Sequence, residues 1–308
     1  MPGNARRIAV VGSINRDTIC TPDGTRTESY GGILYSIAAL DRIGSAEIFP
    51  VCNVGKDVED AVRRLLGSWA SVQLDGVRFV PERNPHCFLT YDSGNRKQET
   101  LLGGVPALPV ERLRPFLDCD AVCFNFITGM ELELQTMRAF RREARGLVLM
   151  DVHSLTLGID SRRRRFFRLP PCWEAWLACA DIVQMNEHEA GLLAGAPLRS
   201  AGAAGEFGEK VLDLGTSALL ITRGEDGADS VVRNRRGGVE VQHYRARPAD
   251  DPVDETGCGD AFLMGFTWSY LNNGSVPAAA RFANRVAGVT CCLRGIEQMD
   301  RIGDYLKQ

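Results

Sequence analysis

Between Asp254 and Phe262 the chain reads Asp-Glu-Thr-Gly-Cys-Gly-Asp-Ala-Phe, which sets a glycine turn one residue ahead of a carboxylate. Glycine's access to positive φ lets successive backbone N–H groups turn toward one point. From Ala261 to Tyr270 the residues are mostly apolar and read as a helix, whose positive end would favour a phosphate. Asp260, at the rim of the turn, is placed to take the proton of an attacking hydroxyl. The amides of Gly257, Cys258 and Gly259 would hold the charge that builds on the transferred group. Phosphoryl transfer is the chemistry that needs both parts, although an ordinary turn with Asp as a helix cap is spelled the same way.

Three further constellations carry candidate chemistry. Val11-Gly12-Ser13-Ile14-Asn15-Arg16-Asp17 ends the first apolar run, where open α/β sheets bind ligands. Asn15 and Asp17 alternate along the chain, so both can face one side and offer an amide and a carboxylate to vicinal hydroxyls; a turn would use them equally well. Gly31-Gly32 then permits close backbone approach just before a helix. In Asn186-Glu187-His188-Glu189, Asn186 and Glu189 spell a capping box, and Glu189 is also suited to order magnesium-bound water beside a polyphosphate. Thr222 and Gly224 lie where a strand ends in a glycine turn and could line a nucleotide.

These residues need elements to hold them. Apolar runs at 8–12, 47–51, 121–124, 147–151, 181–185 and 218–222 read as buried parallel strands. Between them, 33–43, 58–69, 131–144, 173–178, 187–193 and 206–214 carry apolar residues at helical spacing, and the alternation predicts a doubly wound sheet with helices on both faces. Two segments break it: a hairpin around Pro22-Asp23-Gly24, and polar-alternating strands from Gly76 to Gly104 with a turn at Ser93-Gly94-Asn95. The expected division is a core of residues 1–17, 33–75 and 105–308 and a β lid of 18–32 and 76–104, one face of the lid being too polar to bury. A length of 308 residues suits one large domain with a small attachment, and a net charge of -3 gives no basic field for nucleic acid. The apolar stretch Ile8–Val11 is too short for a signal-peptide core or a membrane span, so no membrane partner and a cytoplasmic location are expected. The ten cysteines sit in apolar contexts without a Cys-x-x-Cys pair, which reads as core packing and no zinc. Arg162–Arg165 reads as a solvated charge run.

The order of these features resembles the ribokinase-like carbohydrate kinases, or PfkB family, from Val10 to Gly295. The shared parts run from Gly12-Ser13-Ile14-Asn15-Arg16-Asp17 and Gly31-Gly32 through Val54-Gly55-Lys56-Asp57, Asn186-x-x-Glu189 and Thr222-Arg223-Gly224 to Asp254-x-Thr256-Gly257-x-Gly259-Asp260 and Phe282-Ala283-Asn284. The resemblance implies a three-layer α/β/α fold with a mostly parallel sheet and a small β lid. It also implies ATP-dependent phosphorylation of a small sugar, polyol or nucleoside with Asp260 as base. Asn15, Asp17, Gly31, Gly32 and Ser36 fall at its acceptor positions, Asn186 and Glu189 at magnesium-phosphate positions, and Thr222, Gly224 and Asn284 on the nucleotide side. Asp254 matches the first acid of a monovalent-cation site that part of the family uses for potassium, and lids in several relatives form homodimer contacts.

Departures bear on the acceptor. Ser36 stands where many sugar kinases of the family carry Asn, which weakens a grip on adjacent hydroxyls and argues against a standard ribose or fructose assignment. The short interval between Asp17 and Gly31 implies a reduced lid, and Cys258 replaces a commoner Ala where the backbone amide is the useful group. Acceptor choice is expected to rest on Tyr35, Ser36, Arg16 and Arg96, and arginines near the pocket keep phosphorylated sugars open. A catalytically inactive regulatory relative is the alternative reading. A dinucleotide oxidoreductase would need Gly-x-Gly-x-x-Gly after the first strand, which Gly12-Ser13-Ile14 does not supply.

Overall fold

Ile8, Ala9, Val10 and Val11 are all at most 1% exposed, and they alternate between two separate apolar cores. A strand buried on both faces must lie inside a sheet covered by helices on each side. The computed structural model describes residues 5–94, 97–246 and 253–306. Strand β1 (Arg6–Val11) leads through β2 (Ile14–Cys20) and β3 (Arg26–Gly32) into helix α1 (Ile33–Ile43). Next come β4 (Ala46–Gly55), α2 (Glu59–Gly67), β5 (Val77–Val80), β6 (His86–Tyr91) and β7 (Lys97–Leu102). After α3 (Val110–Leu113), the chain runs through β8 (Ala121–Asn125), α4 (Leu134–Glu143), β9 (Leu147–Asp151), a small hairpin of β10 (Leu157–Ile159) and β11 (Arg165–Phe167), and α5 (Trp173–Leu177). The last part is β12 (Ile182–Asn186), α6 (Glu187–Ala194), α7 (Ala201–Asp213), β13 (Ala218–Thr222), β14 (Ala228–Arg233), β15 (Val239–Tyr244), α8 (Cys258–Asn273) and α9 (Val276–Thr290).

Among the described residues the main sheet has nine strands in the order β15-β14-β13-β12-β9-β8-β1-β4-β5. All neighbours from β13 to β5 pair in parallel, while β14 and β15 run antiparallel. From β1 the chain builds outward first through β4 and then, on the other side, through β8. That switch point opens a crevice beyond the strands' carboxyl ends. Helices α1, α2, α8 and α9 cover one face through Leu34, Ile37, Val62, Leu66, Phe262, Phe266 and Val286. The other face is covered through Leu113, Met137, Phe140, Leu193, Phe207 and Val211. Truncating a core aromatic such as the fully buried Phe266 to Ala costs about 3–5 kcal/mol, so the helix that carries Asp260 is firmly seated.

A second sheet, β3-β2-β6-β7, is the small β sheet expected of the fold, with β2 and β3 closing the hairpin read at Pro22-Asp23-Gly24. Its strands do not follow the expected boundaries. Ile14–Asp17 is part of the second sheet, because Asn15 pairs with Gly31 and Asp17 with Ser29. Val77–Val80 joins the main sheet instead, pairing in parallel with β4, since Val80 is buried and Phe79 lies under the Arg63 guanidinium, 4.2 Å from the ring centre. Asn95 and Arg96 lie outside the described residues. Cys52, Cys87, Cys119, Cys123 and Cys179 are buried free thiols as expected, whereas Cys172 is exposed. Among the described residues no helix is long and apolar enough to cross a membrane.

Candidate active site

Gly257 caps α8 in the left-handed region at φ 80°, and a Cβ there would run into the Tyr35 ring. Glycine is thus required twice over, by conformation and by space. One turn on, Asp260 Oδ1 accepts hydrogen bonds from Asn125 Nδ2 at 2.9 Å and Ser36 Oγ at 3.2 Å. Asn125 Nδ2 also donates to Ser36 Oγ at 3.1 Å, so α1, β8 and α8 meet on one carboxylate oxygen. Burial pushes the Asp260 carboxyl up to about 6, with Asn125 and Ser36 holding it from rising further. Both partners are neutral, which leaves the carboxylate able to take a proton. Of the three amides expected to hold charge, Cys258 N–H donates to the Glu255 carbonyl at 3.2 Å, closing the turn. The first-turn amides, Gly259 among them, have no partner within the helix.

Asn15 and Asp17, expected to face an acceptor, fall on one face of β2. Asn15 is 8% exposed and its Oδ1 is buried without a partner. Gly31 is needed because a Cβ there would collide with Asp17 Oδ2, and Tyr35 fills the space between Gly31 and Gly257. Burial, then the charge of Glu99, pushes the Asp17 carboxyl up to about 7. Two expectations change here. Ser36 spends its hydroxyl on Asp260, so it positions the carboxylate. Arg16 points to the outer face, paired with Glu28 at 2.5 Å, because alternation puts it opposite Asn15 and Asp17.

At Asn186 and Glu189, expected near phosphate, the capping box is complete: Asn186 Oδ1 accepts from the His188 and Glu189 amides, and Glu189 accepts from the Asn186 N–H and Nδ2, both at 2.8 Å. Glu189 is 4% exposed and burial pushes it up to about 7. Burial, then the charges of Glu189 and Asp260, push Asp151 up. Gln184 Nε2 holds Asp151 Oδ2 at 3.3 Å and the Gly259 carbonyl at 3.0 Å, tying this acid to the α8 turn. A buried carboxyl raised by the charges of two neighbouring acids suits a hydrated divalent cation with phosphates. Thr222 lies beside Asn186 across the sheet, and Gly224 follows at φ 54°. Asn284, expected to face the nucleotide, is buried and donates to the carbonyls of Tyr244 at 2.8 Å and Arg245 at 3.4 Å, so it fixes the exit of β15. Asp254 Oδ1 accepts from the Thr256 amide at 2.9 Å, ordering the turn ahead of Gly257.

The sequence reading missed Asn125 and Gln184. Asn125 carried a signal: it is the polar residue ending an apolar strand run, as are Asp151, Asn186 and Thr222. The arginine run divides, with Arg162 and Arg164 exposed and Arg165 buried, its Nη1 donating to the Thr128 carbonyl at 3.0 Å. A cavity of about 160 Å³ lined by Ser13, Asn53, Gly104, Thr128 and Glu131 lies at the base of the lid, and neither Asp17 nor Asp260 lines it.

This arrangement is the architecture of phosphotransferases that act on an alcohol group. Residues 159–300 match the pfkB family of carbohydrate kinases, and the chain as a whole is similar to ribokinase-like kinases. It is 26% identical over 275 residues to a cytidine kinase of Thermococcus kodakarensis, covering 85% of this chain and 88% of the relative. To a ribokinase of Arabidopsis thaliana it is 24% identical over 264 residues, 82% of this chain and 65% of the relative. A solved Arabidopsis thaliana ribokinase, complexed with ribose and ATP, superposes with a TM-score of 0.80 at 21% identity over 98% of each chain. A pyrophosphate-dependent kinase in the ribokinase family gives a TM-score of 0.79 at 18% identity, covering 95% of this chain and 99% of the other.

Proposed function

We propose that the chain transfers the γ-phosphoryl group of ATP to a hydroxyl of a small sugar, polyol or nucleoside. The observation that carries the reading is the buried Asp260 carboxylate at the first turn of α8, held by two neutral donors and raised to about 6. A carboxylate of that pKa is largely ionised at neutral pH and still basic enough to take the acceptor's proton. Asn15 and Asp17 orient the acceptor under the lid, and the first-turn amides of α8, with the helix dipole, receive the charge of the transferring group. The lid keeps water from taking the acceptor's place. Glu189, with Asp151 beside it, would hold magnesium through water near the nucleotide phosphates. Bound there, the ion would offset phosphate charge and that of the crowded carboxyls. Thr222 and Gly224 line the nucleotide side, and Asp254 is the candidate acid for a potassium ion. Ribokinase and cytidine kinase relatives support the range of acceptors.

The test is ATP consumption by the purified protein across pentoses, hexoses, sugar phosphates, inositols and nucleosides, repeated with pyrophosphate as donor. At least one acceptor should be phosphorylated with ATP. Asp260→Asn should lower turnover by about a hundredfold or more, and unchanged turnover would remove Asp260 from its role. Silence across the panel, with ATP still bound, would favour the regulatory reading.

A further inference from the structure

Arg165 has no task in phosphoryl transfer, yet among the described residues it is the most deeply buried cation near the second sheet. Its side chain is 2% exposed, and only Nη1 is bonded, to the Thr128 carbonyl at 3.0 Å. Nε and Nη2 are buried without a hydrogen-bond partner. A guanidinium keeps its charge, and leaving charged donors unpaired in the interior is expensive. These two N–H groups form one edge of the planar fork, the edge that grips two adjacent acceptor atoms.

The lid register puts a carboxylate beside that edge. Thr100 bridges Arg164 in antiparallel fashion, which sets Glu99 across from Arg165, with Glu99 Oε1 3.9 Å from Arg165 Nε. That spacing is too long for a hydrogen bond. Asp17 pairs with Cys87, Cys87 with Leu101, and Glu99 lies two residues before Leu101, so Asp17, Cys87 and Glu99 share the inner face of the lid. The Cys87 thiol hydrogen-bonds Glu99, and Tyr35 feels the charges of both Asp17 and Asp260. The inner face thus runs from the expected acceptor residue Asp17 to a donor-acceptor pair at Glu99 and Arg165.

Asp17 and Glu99 already repel one another here, so an acceptor with its own phosphate or carboxylate is disfavoured. A neutral group with two acceptor atoms for the Arg165 edge and an amino donor for Glu99 satisfies both. Such edges occur on nucleobases, where arginine takes acceptor pairs and glutamate takes the cytosine amino group. We propose that Arg165 and Glu99 are specificity-determining residues that read the amino-oxo edge of a pyrimidine base, which makes the acceptor an aminopyrimidine nucleoside such as cytidine. The inference rests on the kinase reading above and narrows its acceptor class. Because Arg165 Nε and Nη2 are closed to solvent, a base can reach them only if the hairpin moves away from Thr128, so the proposal includes that opening.

The experiment compares kcat/KM for cytidine, uridine and ribose with ATP in the wild-type protein, Arg165→Met, Arg165→Lys and Glu99→Gln, with a thermal melt of each. Wild type should prefer cytidine over uridine and over ribose by about tenfold or more. Glu99→Gln, whose amide also donates, should lower the cytidine-to-uridine ratio about tenfold. Arg165→Met should bring the cytidine-to-ribose ratio toward one, and Arg165→Lys should restore part of it. Ratios unchanged in folded variants would make Glu99 and Arg165 a structural pair and overturn the proposal. Turnover of ribose or a hexose with no nucleoside accepted would overturn it too while leaving the kinase intact, whereas silence with every acceptor would remove the kinase reading itself.

Discussion

Asp260 concentrates the chemistry at the residue scale because burial and two neutral hydrogen bonds set its proton affinity. Its folded-state pKa, about 6, is raised above the ordinary 3.8. A raised carboxyl contributes stability that is fully present below the unfolded value and is lost as pH rises through the folded one. At neutral pH the buried charge therefore costs the fold on the order of 1–3 kcal/mol. Asp260→Asn should raise the melting temperature at pH 7.5 while removing turnover, and the gain should vanish at pH 4, which differential scanning calorimetry would check. The same proton enters the pH profile, together with those of Asp17 and Glu189, both pushed up to about 7. Below about pH 6 kcat/KM should fall with acid, about tenfold per pH unit well below the pKa. Ser36→Ala removes one of the two donors to the carboxylate, so the acid limb should move to higher pH with the limb's shape kept. An acid limb that stays in place would show that another group sets it.

Helix termini do most of the positioning at the element scale. Helix α8 presents its first turn to the crevice because Gly257 turns the chain at positive φ against Tyr35. Gly257→Ala meets both the strained conformation, about 1–2 kcal/mol for an L residue, and the Tyr35 ring. Its turnover should fall much further than its stability, a difference that paired kinetics and melts would read. Helix α6 starts on a full capping box between Asn186 and Glu189. Asn186→Ala should cost about 1 kcal/mol in urea denaturation, so any larger loss of activity reports its place beside Thr222. The end of β8 acts similarly: Asn125 is held by the sheet and in turn holds Asp260, a positioning role outside the reacting atoms.

For the whole molecule, the sheet's switch point at β1 brings the ends of β8, β9, β12 and β13 to one crevice, and the second sheet covers the part nearest β1. We take β2, β3, β6 and β7 as the lid and the nine-stranded sheet with its helices as the core. The small hairpin continues the lid past β7, where the Leu101 amide donates to the Arg163 carbonyl at 3.0 Å, and it exposes Phe166 and Phe167, the latter at 64%. Apolar exposure there is what a homodimer through the lid would cover. Light scattering at tens of micromolar should give the mass of two chains, and Phe166→Ser with Phe167→Ser should give one; a single-chain mass for the unsubstituted protein would end the dimer reading.

The sequence by itself determined the doubly wound class, because strands buried on both faces must be uniformly apolar and their helices must be amphipathic. It also determined the position of Asp260 and its glycine turn, because positive φ beside an acid is written locally. Tertiary structure alone decided which side chains share a hydrogen bond. Ser36 and Asn284 were read as ligand contacts, but they hold Asp260 and the end of β15, since partners 224 and 40 residues away were not visible from their neighbours. Strands β14 and β15 were missed because half-exposed alternation is a weak local pattern, and Val77–Val80 was drawn to the main sheet by β4. Arg165 shows the limit most clearly. Four consecutive arginines are chemically identical along the chain, and only the pairing of the hairpin with β7 and the carbonyl of Thr128 turned one of them inward.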